Sequence, residues 1–356
     1  MKIIHTSDIH LASKLTARLP SSKVAARRRE LTESFFRMCR EGVNLGASAM
    51  IIAGDMFDTE KTSKKDIDSA LAIIERAEGM LFFYLPGNHE RSLLRDSGEA
   101  LPKNLLIFGD EWTYFNLGNV TIAGRCETSE DMFATLSLDA DRKNIIVLHG
   151  EIRDRSKNGG VIGLSDAKDK GIDYLALGHY HTYSTGRIDK RGAYAYSGTP
   201  EGRGFDEVGE LGFSLVSIGE DEISHRFVPF SKRRLLIRDV DISGALRTHD
   251  VQTKIAEALK DTSRDDLIRV NFVGERELEL RCDKAFLTNR FSEEFYYFEI
   301  KDSSKLLTRA EDYKYDKSLK GEFIRLCLED KSLSDEEKEK IIHCGLSALA
   351  GEAFDE

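Results

Sequence analysis

Five short segments of this chain carry aspartate, histidine and asparagine side chains that together could hold two metal ions. The segments are Asp8-Ile9-His10, Gly54-Asp55-Met56-Phe57-Asp58, Gly87-Asn88-His89-Glu90, His149-Gly150 and Gly178-His179-Tyr180-His181. A carboxylate that bridges two cations offsets their repulsion, imidazoles complete the coordination, and an amide adds an oxygen without further charge. Two metals roughly 3.5 to 4 Å apart can deprotonate a shared water near neutral pH and direct it in line at phosphorus. The chemistry predicted from these residue types is therefore phosphoester hydrolysis.

The same residue types restrict the metal. None of the segments contains cysteine, which disfavours a structural zinc site. Histidines at positions 10, 149, 179 and 181 disfavour magnesium, which prefers oxygen ligands, and suit manganese, iron or zinc.

Each segment alone also has an ordinary structural interpretation. A single Asp-x-His in a loop is usually a capping or surface feature, and an Asn-His pair after a Pro-Gly turn is usually a pair of turn residues. One His-x-His is commoner as a surface pair than as a metal site. The occurrence of all five segments in one chain favours the metal site over these alternatives.

Short apolar runs precede these segments, and amphipathic stretches separate the runs. Strands are predicted at residues 2–6, 49–53, 81–85, 120–123, 144–148, 174–177, 193–196 and 213–217, with helices at 31–41 and 66–77. This alternation predicts an α/β fold in which helices cover sheets. In open α/β sheets, ligands bind beyond the carboxyl ends of the strands. Because alternate residues of an extended chain point the same way, Asp8 and His10 are expected to face one site, as are His179 and His181.

The chain is long enough for two domains, and a basic, turn-like stretch at residues 229–234 predicts the boundary. Beyond it, a small β-α-β-α-β unit is predicted, followed by two helices. Its elements are expected at residues 235–241, 251–259, 267–273, 283–290 and 296–300, and the helices at 319–328 and 335–350. Ser334 and Glu337 predict a capping box for the last helix, and Gly351 its end. The predicted divisions are thus 1–230, 235–302 and 303–356.

The composition narrows the class of protein further. The net charge of −10 argues against coating nucleic acid by bulk electrostatics, although residues 311–356 alone contribute a net −6, so local phosphate binding stays open. The five cysteines are far apart and predict neither a disulfide framework nor a zinc ribbon. No apolar run approaches the roughly 20 residues of a membrane helix, and the N-terminus is typical of a strand. We expect a cytoplasmic enzyme that does not enter a membrane.

The series Asp-x-His, Gly-Asp-x-x-Asp, Gly-Asn-His-Glu, His-Gly and Gly-His-x-His resembles the calcineurin-like metallophosphoesterases. More narrowly, residues 4–11, 53–59 and 196–201 resemble the SbcD-type DNA-repair exonuclease subunits. The resemblance covers about residues 1–205. It implies a two-sheet αββα metallophosphoesterase sandwich, with a smaller α+β capping domain and C-terminal helices.

The resemblance also implies two ligand sets that share one bridging carboxylate. The sets are Asp8, His10, Asp55 and His181 for the first metal, and Asp55, Asn88, His149 and His179 for the second. His89 would be the catalytic residue beside the scissile phosphate, where it donates a proton to the leaving oxygen or stabilises charge. The implied cofactor is a pair of divalent ions, with manganese expected and iron or zinc as alternatives.

Two positions depart from the family's usual pattern. Glu90 stands where the family has aspartate after the Asn-His pair, and we expect it to support His89 without contacting substrate. Asp58 stands where the archaeal and eukaryotic nucleases have a second histidine, and its role stays open.

In the nucleases that the chain resembles, a capping domain helps to select DNA and C-terminal helices dock on the coiled coil of an SbcC-like ATPase. Residues 235–300 would fit the cap and residues 319–350 the docking helices. The expected apolar anchors are Phe323, Leu326, Leu346 and Leu349. The alternative is that these helices pack on their own domain. The chain has no P-loop sequence, so any ATP hydrolysis would belong to the partner, and a homodimer is a further possibility.

Two basic clusters could contact a DNA backbone or simply face solvent. They are Lys14, Arg18, Lys23, Arg27, Arg28 and Arg29, and the later cluster Lys232, Arg233 and Arg234. Gly202-Arg203-Gly204 lacks the glycine spacing of a dinucleotide-binding loop and is discounted.

The leading hypothesis is a manganese-dependent DNA exonuclease or endonuclease of DNA repair and recombination, with an SbcC-like ATPase partner. A second hypothesis keeps the site and changes the substrate to a small phosphoester, because fold and site do not fix the substrate. The third is a metal-free binding scaffold.

Overall fold

A computed structural model describes residues 1–13, 15, 17, 19–58, 62–87, 90, 94, 101–155, 160–277, 280, 282–307 and 315–350. The chain divides into two compact units, Met1–Leu235 and Leu236–Glu356. The predicted boundary at residues 229–234 lies directly before this division. Within the described ranges, no helix is both long and apolar enough to cross a lipid bilayer.

The first unit contains two six-stranded sheets. Its strands are β1 Lys2–Thr6, β2 Ala47–Ala53, β3 Leu81–Leu85, β4 Leu105–Ile107, β5 Thr113–Leu117, β6 Val120–Gly124, β7 Lys143–His149, β8 Glu151–Arg153, β9 Val161–Gly163, β10 Tyr174–Gly178, β11 Ser184–Arg187, β12 Ala193–Tyr196, β13 Gly212–Ile218 and β14 Ile223–Pro229. The first sheet has the order β14-β13-β1-β2-β3-β4 and the second β11-β12-β10-β7-β6-β5, while β8 and β9 form a separate pair. Strands β1 to β4 of the first sheet run parallel to one another, as do β6, β7, β10 and β12 of the second.

The two sheets pack face to face, and helices cover the outer faces. The helices are α1 Ser21–Asn44, α2 Lys64–Arg76 and α3 Leu164–Ala167, with a short 3-10 helix at Met132–Ala134. Ile51 and Phe83 of the first sheet share one buried cluster with Ile145 and Tyr174 of the second. The outer face of the first sheet packs on α1 and α2, and that of the second on the 3-10 helix and α3. The predicted αββα sandwich is thereby confirmed.

Helix α1 begins ten residues earlier than the sequence predicted. The prediction of residues 31–41 followed the apolar spacing, which starts at Leu31, whereas the helix runs from Ser21 to Asn44. Its first half is polar, and two of its buried residues there are Arg27 and Glu30. A helix turn that buries ions in place of aliphatic side chains leaves no hydrophobic period to detect.

A network of buried ion pairs explains this charged turn. The Arg27 guanidinium contacts Glu30 at 3.0 Å and Glu201 at 2.8 Å. Arg233 donates two hydrogen bonds to the Glu30 carboxylate, at 2.9 and 2.7 Å. Arg27 and Arg233 are therefore committed to the fold, so the proposal that they contact a DNA backbone was wrong for these two residues. Arg28 and Arg29 remain exposed on α1.

Replacing Glu30 with alanine should lower the free energy of unfolding by about 3 kcal/mol, because it removes the buried carboxylate that the Arg27 and Arg233 guanidiniums share. Burial alone would raise the pKa of Glu30, but hydrogen bonds from Arg233, Lys232 and Arg27 hold that pKa at about 2. The stabilisation is therefore complete above the ordinary value of 4.5 and disappears as the pH falls toward 2.

Denaturant titration of the two proteins at several pH values measures this effect. Glu257→Ala, which breaks the exposed pair with Lys260, is the matched control and should cost far less, because water screens an exposed ion pair. A gap between wild type and Glu30→Ala that does not narrow in acid would contradict the assignment.

The second unit contains a small sheet with helices, followed by a helical pair. Its elements are β15 Leu235–Asp241, α4 Thr248–Ala258, β16 Leu267–Val273, β17 Glu275–Arg276, α5 Lys284–Ser292, β18 Tyr297–Asp302, β19 Lys305–Leu306, α6 Leu319–Glu329 and α7 Asp335–Ala350. Strands β15, β16 and β18 form the sheet, in the predicted β-α-β-α-β order, and β17 pairs with β19. The Ser334 and Glu337 side chains cap α7 as predicted, whereas Gly351 lies outside the described residues.

Helices α6 and α7 pack on each other through a small apolar cluster around Ile324 and Ile342. Of the four predicted docking anchors, Leu346 is buried in this cluster and Phe323 packs against it. Leu326 and Leu349 are 61% and 48% exposed. Half of the predicted anchors therefore stabilise the helical pair itself.

Candidate metal centre

The predicted ligands lie at the carboxyl ends of neighbouring strands in both sheets. Asp8 and Asp55 follow β1 and β2, which are adjacent in the first sheet. His149 ends β7, and His179 follows β10, which is adjacent to β7 in the second. The His149 ring reaches the first sheet, since its Nδ1 lies 3.0 Å from the Ala53 carbonyl oxygen. The site thus stands where the ends of the two sheets meet.

Tight backbone turns orient the side chains of four predicted ligands. Asp8, His10, Asp55 and His179 all adopt positive φ angles, of 50°, 48°, 48° and 107°. Such angles are uncommon outside glycine, and strained backbone of this kind clusters at functional sites. Asp8 and His10 face one site as expected, but these turns bring them there, so the extended backbone given as the reason was wrong. The turns are held by hydrogen bonds from Asp8 N to Gly54 O and from His10 N to Asp55 O, at 3.1 and 3.0 Å.

Asp8, His10 and His181 form the first group of candidate ligands, with one donor atom from each lying within 4.8 Å of the others. The Nε2 atoms of His10 and His181 face each other at 3.3 Å, and His181 Nε2 lies 3.8 Å from Asp8 Oδ1. Two imidazole nitrogens and a carboxylate oxygen directed at one point are a suitable donor set for a divalent transition metal.

Asp8, Asp55 and His149 form the second group, under the same 4.8 Å limit. Because a carbonyl oxygen can only accept, His149 Nδ1 carries the proton that it donates to Ala53, and Nε2 faces Asp55 Oδ2 at 3.4 Å. Burial alone would lower the pKa of His149, but the hydrogen bond and charge of Asp55 raise it to about 9. The Asp55 carboxylate thus attracts a cation to the position beside Nε2.

His179 adjoins both groups without belonging to either. Its backbone N–H donates to both carboxylate oxygens of Asp8, each at 3.1 Å. Its ring meets that of His149 edge to face, with centroids 5.4 Å apart. Burial and the neighbouring His149 lower the pKa of His179, which favours the neutral imidazole that a metal requires.

The electrostatics of the centre fit a pair of cations. Asp8 is fully buried and Asp55 nearly so. Burial raises the pKa of Asp8, and the negative charge of Asp55 adds to the effect. Two buried carboxylates this close repel each other, and divalent ions bound among the histidines would remove that cost. The described donors therefore fit a two-metal centre in composition and position.

Asn88 and His89 lie outside the described residues, but Glu90, which follows them, is placed. Its carboxylate accepts hydrogen bonds from the backbone N–H groups of Met56, Phe57 and Gly87, at 2.8, 2.6 and 3.3 Å. Glu90 is 1% exposed, and burial raises its pKa to about 7. It therefore ties the loop after β3, which carries Asn88 and His89, to the loop that carries Asp55.

Glu207 is a carboxylate at the site that sequence reasoning missed. Its Oε1 lies 2.7 Å from His181 Nδ1, and its side chain is almost fully buried. Arg203 stands four residues before it and bonds to the same carboxylate. Nothing in the motifs marks position 207, and only the i,i+4 spacing of opposite charges could have drawn attention to it.

A glycine is required beside His149. Gly54 has a φ of +92°, and a Cβ placed on it would lie 1.9 Å from His149 Nδ1. Gly54→Ala should displace the imidazole and weaken Mn²⁺ binding by at least tenfold, since even loss of an outer partner of a ligand costs roughly 10- to 100-fold.

Calorimetric titration with Mn²⁺ measures that loss. Gly46→Ala is the matched control, because Gly46 also has a positive φ, of +69°, but a Cβ there has nothing within 4 Å. It should cost stability alone, about 1 kcal/mol. Equal Mn²⁺ affinity in both variants would show that His149 tolerates displacement.

A model of the calcineurin-like phosphoesterase family matches residues 1–210, which is more than half of the chain. The chain therefore belongs to the calcineurin-like phosphoesterase family, as the motifs predicted. It is an enzyme of the dimetal phosphoesterase class.

Two archaeal relatives are each described as DNA double-strand break repair protein Mre11. The protein from Methanosarcina acetivorans is 24% identical over 274 residues, which are 70% of this chain and 42% of that protein. The protein from Sulfolobus acidocaldarius is 22% identical over 288 residues, or 75% of this chain and 72% of that protein. The chain thus spans under half the length of the Methanosarcina protein.

Among solved structures, a dimetal phosphatase from Danio rerio matches 64% of this chain and 95% of its own, at 12% identity and a TM-score of 0.42. A similarity at this level carries no argument about function.

Proposed function

We propose that this phosphoesterase is a manganese-dependent DNA nuclease that acts in DNA repair. The observation that carries the proposal is the extent of the similarity to the Mre11 proteins. Seventy per cent of the chain is more residues than the first unit holds, so the similarity includes part of the second unit as well as the phosphoesterase fold.

In this proposal Asp8, His10, Asp55 and His181 hold one ion, and Asp55, Asn88, His149 and His179 hold the other. When bound, the ions would supply an activated water and would offset the charge that develops on the phosphate. Asp55, as the shared carboxylate, fixes the two ligand sets relative to each other. His89 faces the substrate and donates a proton to the leaving oxygen.

A coiled-coil ATPase of the SbcC type is the proposed partner, and a homodimer the proposed assembly. The exposed Leu326 and Leu349 on the helical pair support the docking of an apolar segment there. DNA is the proposed substrate, and the cytoplasm the proposed location.

A comparison of bis- and mono-nitrophenyl phosphate tests the proposal. A nuclease should hydrolyse the diester in Mn²⁺ far faster than the monoester, and DNA should compete with it. A preference for the monoester, with no competition by DNA, would favour the small-molecule phosphatase.

An exposed aromatic ring beside the centre supports nucleic acid as the substrate. Tyr180 is 41% exposed, and its ring lies 5.5 Å from that of His179 and 4.8 Å from that of Tyr196. Stacking of a base on such a ring is worth about 1–3 kcal/mol. Tyr180→Ala should therefore lower kcat/KM for an oligonucleotide by roughly tenfold, while Tyr180→Phe retains it. Equal losses on bis-nitrophenyl phosphate, which lacks a base, would show that Tyr180 supports the centre instead.

A further inference from the structure

One arginine connects the two histidines of the first ligand group through two carboxylates. Arg203 Nη2 and Nε donate to Glu207 Oε1, at 2.6 and 3.0 Å. Arg203 Nη1 donates to Asp58 Oδ1 at 3.2 Å. Glu207 in turn contacts His181 Nδ1 at 2.7 Å, and Asp58 lies 3.4 Å from His10 Nδ1.

These contacts fix how each imidazole is protonated. A carboxylate can only accept, so His181 Nδ1 must carry the proton that it shares with Glu207. The Arg203 Nη2 atom is farther from that nitrogen, at 3.4 Å, and also only donates, so the Glu207 contact prevails. Asp58 Oδ1 lies 3.4 Å from His10 Nδ1 without a formed hydrogen bond, and its negative charge favours a proton on that nitrogen. Both histidines then direct the lone pair of Nε2 into the site, where the two atoms are 3.3 Å apart.

Two lone pairs facing at this distance repel each other unless a cation lies between them. The contacts of His181 with Glu207 and of His10 with Asp58 must therefore offset this repulsion and hold the two rings in place. Arg203 is 9% exposed and Glu207 2%, so the contact between these two is shielded from water, whereas the Asp58 side chain is 33% exposed. A metal-bound histidine whose other nitrogen donates to a carboxylate is a better ligand and is held in one orientation.

We propose that Arg203 is a positioning residue for the metal centre, which acts by orienting Glu207 and Asp58 so that His181 and His10 both present Nε2 to one ion. The inference rests on the proposed two-metal centre. It gives a role to Asp58 and assigns Arg203, set aside as part of a discounted glycine motif, to the metal site.

Mn²⁺ binding to the full-length protein tests this without a substrate, with free Mn²⁺ counted by electron paramagnetic resonance. Wild type should bind two equivalents. Arg203→Ala and Glu207→Ala should each weaken one equivalent by roughly 10- to 100-fold and leave the other unchanged. Arg203→Lys should not restore binding, because one ammonium cannot bond both carboxylates in the fork geometry of a guanidinium.

Arg191→Ala is the matched control. Arg191 makes a two-bond pair with Asp173 in the same unit, at 3.0 and 2.8 Å, at the opposite end of β10 from His179. It should bind Mn²⁺ as the wild type does. If Arg203→Ala shows no cooperative thermal transition, Glu207→Gln decides instead. Its amide can either accept from His181 Nδ1 or donate to it, so it should weaken the same single equivalent.

The inference is overturned if both equivalents keep their wild-type affinity in the folded variants, or if both weaken together and Arg191→Ala does the same. Wild-type protein that binds no Mn²⁺ would overturn the proposed function along with it. Wild type that binds two equivalents but does not cut DNA would overturn the substrate assignment alone.

Discussion

Asp55→Asn should abolish phosphodiester hydrolysis, with a loss well above the roughly 100-fold that removal of an outer partner of a metal ligand costs. Asp55 lies against His149 Nε2 at 3.4 Å and belongs to the same donor group as Asp8. Its backbone is in the left-handed region, which asparagine tolerates, so the substitution changes the charge and leaves the turn intact. A neutral amide would neither offset the repulsion of two cations nor hold them both.

Asp169→Asn is the control for this variant. Asp169 also has a positive φ, of 57°, but it is exposed and takes no part in either donor group. Its substitution should leave kcat unchanged. Asp55→Asn protein that retains more than a few per cent of the wild-type kcat on bis-nitrophenyl phosphate would remove Asp55 from the centre.

His89→Ala should lower kcat by about 10²- to 10⁴-fold, the usual contribution of a positioned acid or base, while both Mn²⁺ equivalents stay bound. His89 itself lies outside the described residues, so its role rests on the family motif. The structure describes the next residue, Glu90, whose carboxylate accepts hydrogen bonds from the backbone N–H groups of Met56 and Phe57, next to Asp55.

Measuring kcat and the number of bound Mn²⁺ ions separately tests the role of His89. Loss of kcat with unchanged Mn²⁺ stoichiometry supports a catalytic residue, whereas loss of one bound equivalent would make it a ligand. His249→Ala, in α4 of the second unit, should change neither quantity.

The position of the ligands could be predicted because the end of a strand is marked by a few consecutive residues of the sequence. An apolar run such as that of β7 is followed at once by a polar residue, and parallel neighbours bring these residues to one edge. The same runs predicted an α/β fold with helix-covered sheets, whereas the two-sheet αββα arrangement was implied by the family resemblance. The start of α1 could not be predicted in this way, because its buried face pairs Arg27 with Glu201, which is 174 residues away in the chain.

The contacts of Asp58 and Arg203 with the ligand histidines could not be predicted, because they too join distant parts of the chain. Asp58 and Arg203 are 145 residues apart, and only the folded loops bring them together. That Asp8 and His10 face one site was predicted, but the turns that orient them were not, since they depend on positive φ angles that no residue type in the segment demands. Motifs identify ligands by type and order, whereas their tautomers and orientation depend on tertiary contacts.

The most direct test of the central claim is incubation of linear DNA with the full-length protein in Mn²⁺. If the protein is a two-metal DNA nuclease, wild type degrades the DNA, a chelator stops the reaction, and Asp55→Asn does not cut at all. DNA that stays intact, and that fails to slow the hydrolysis of bis-nitrophenyl phosphate by the same Mn²⁺-loaded protein, would show that DNA is not the substrate.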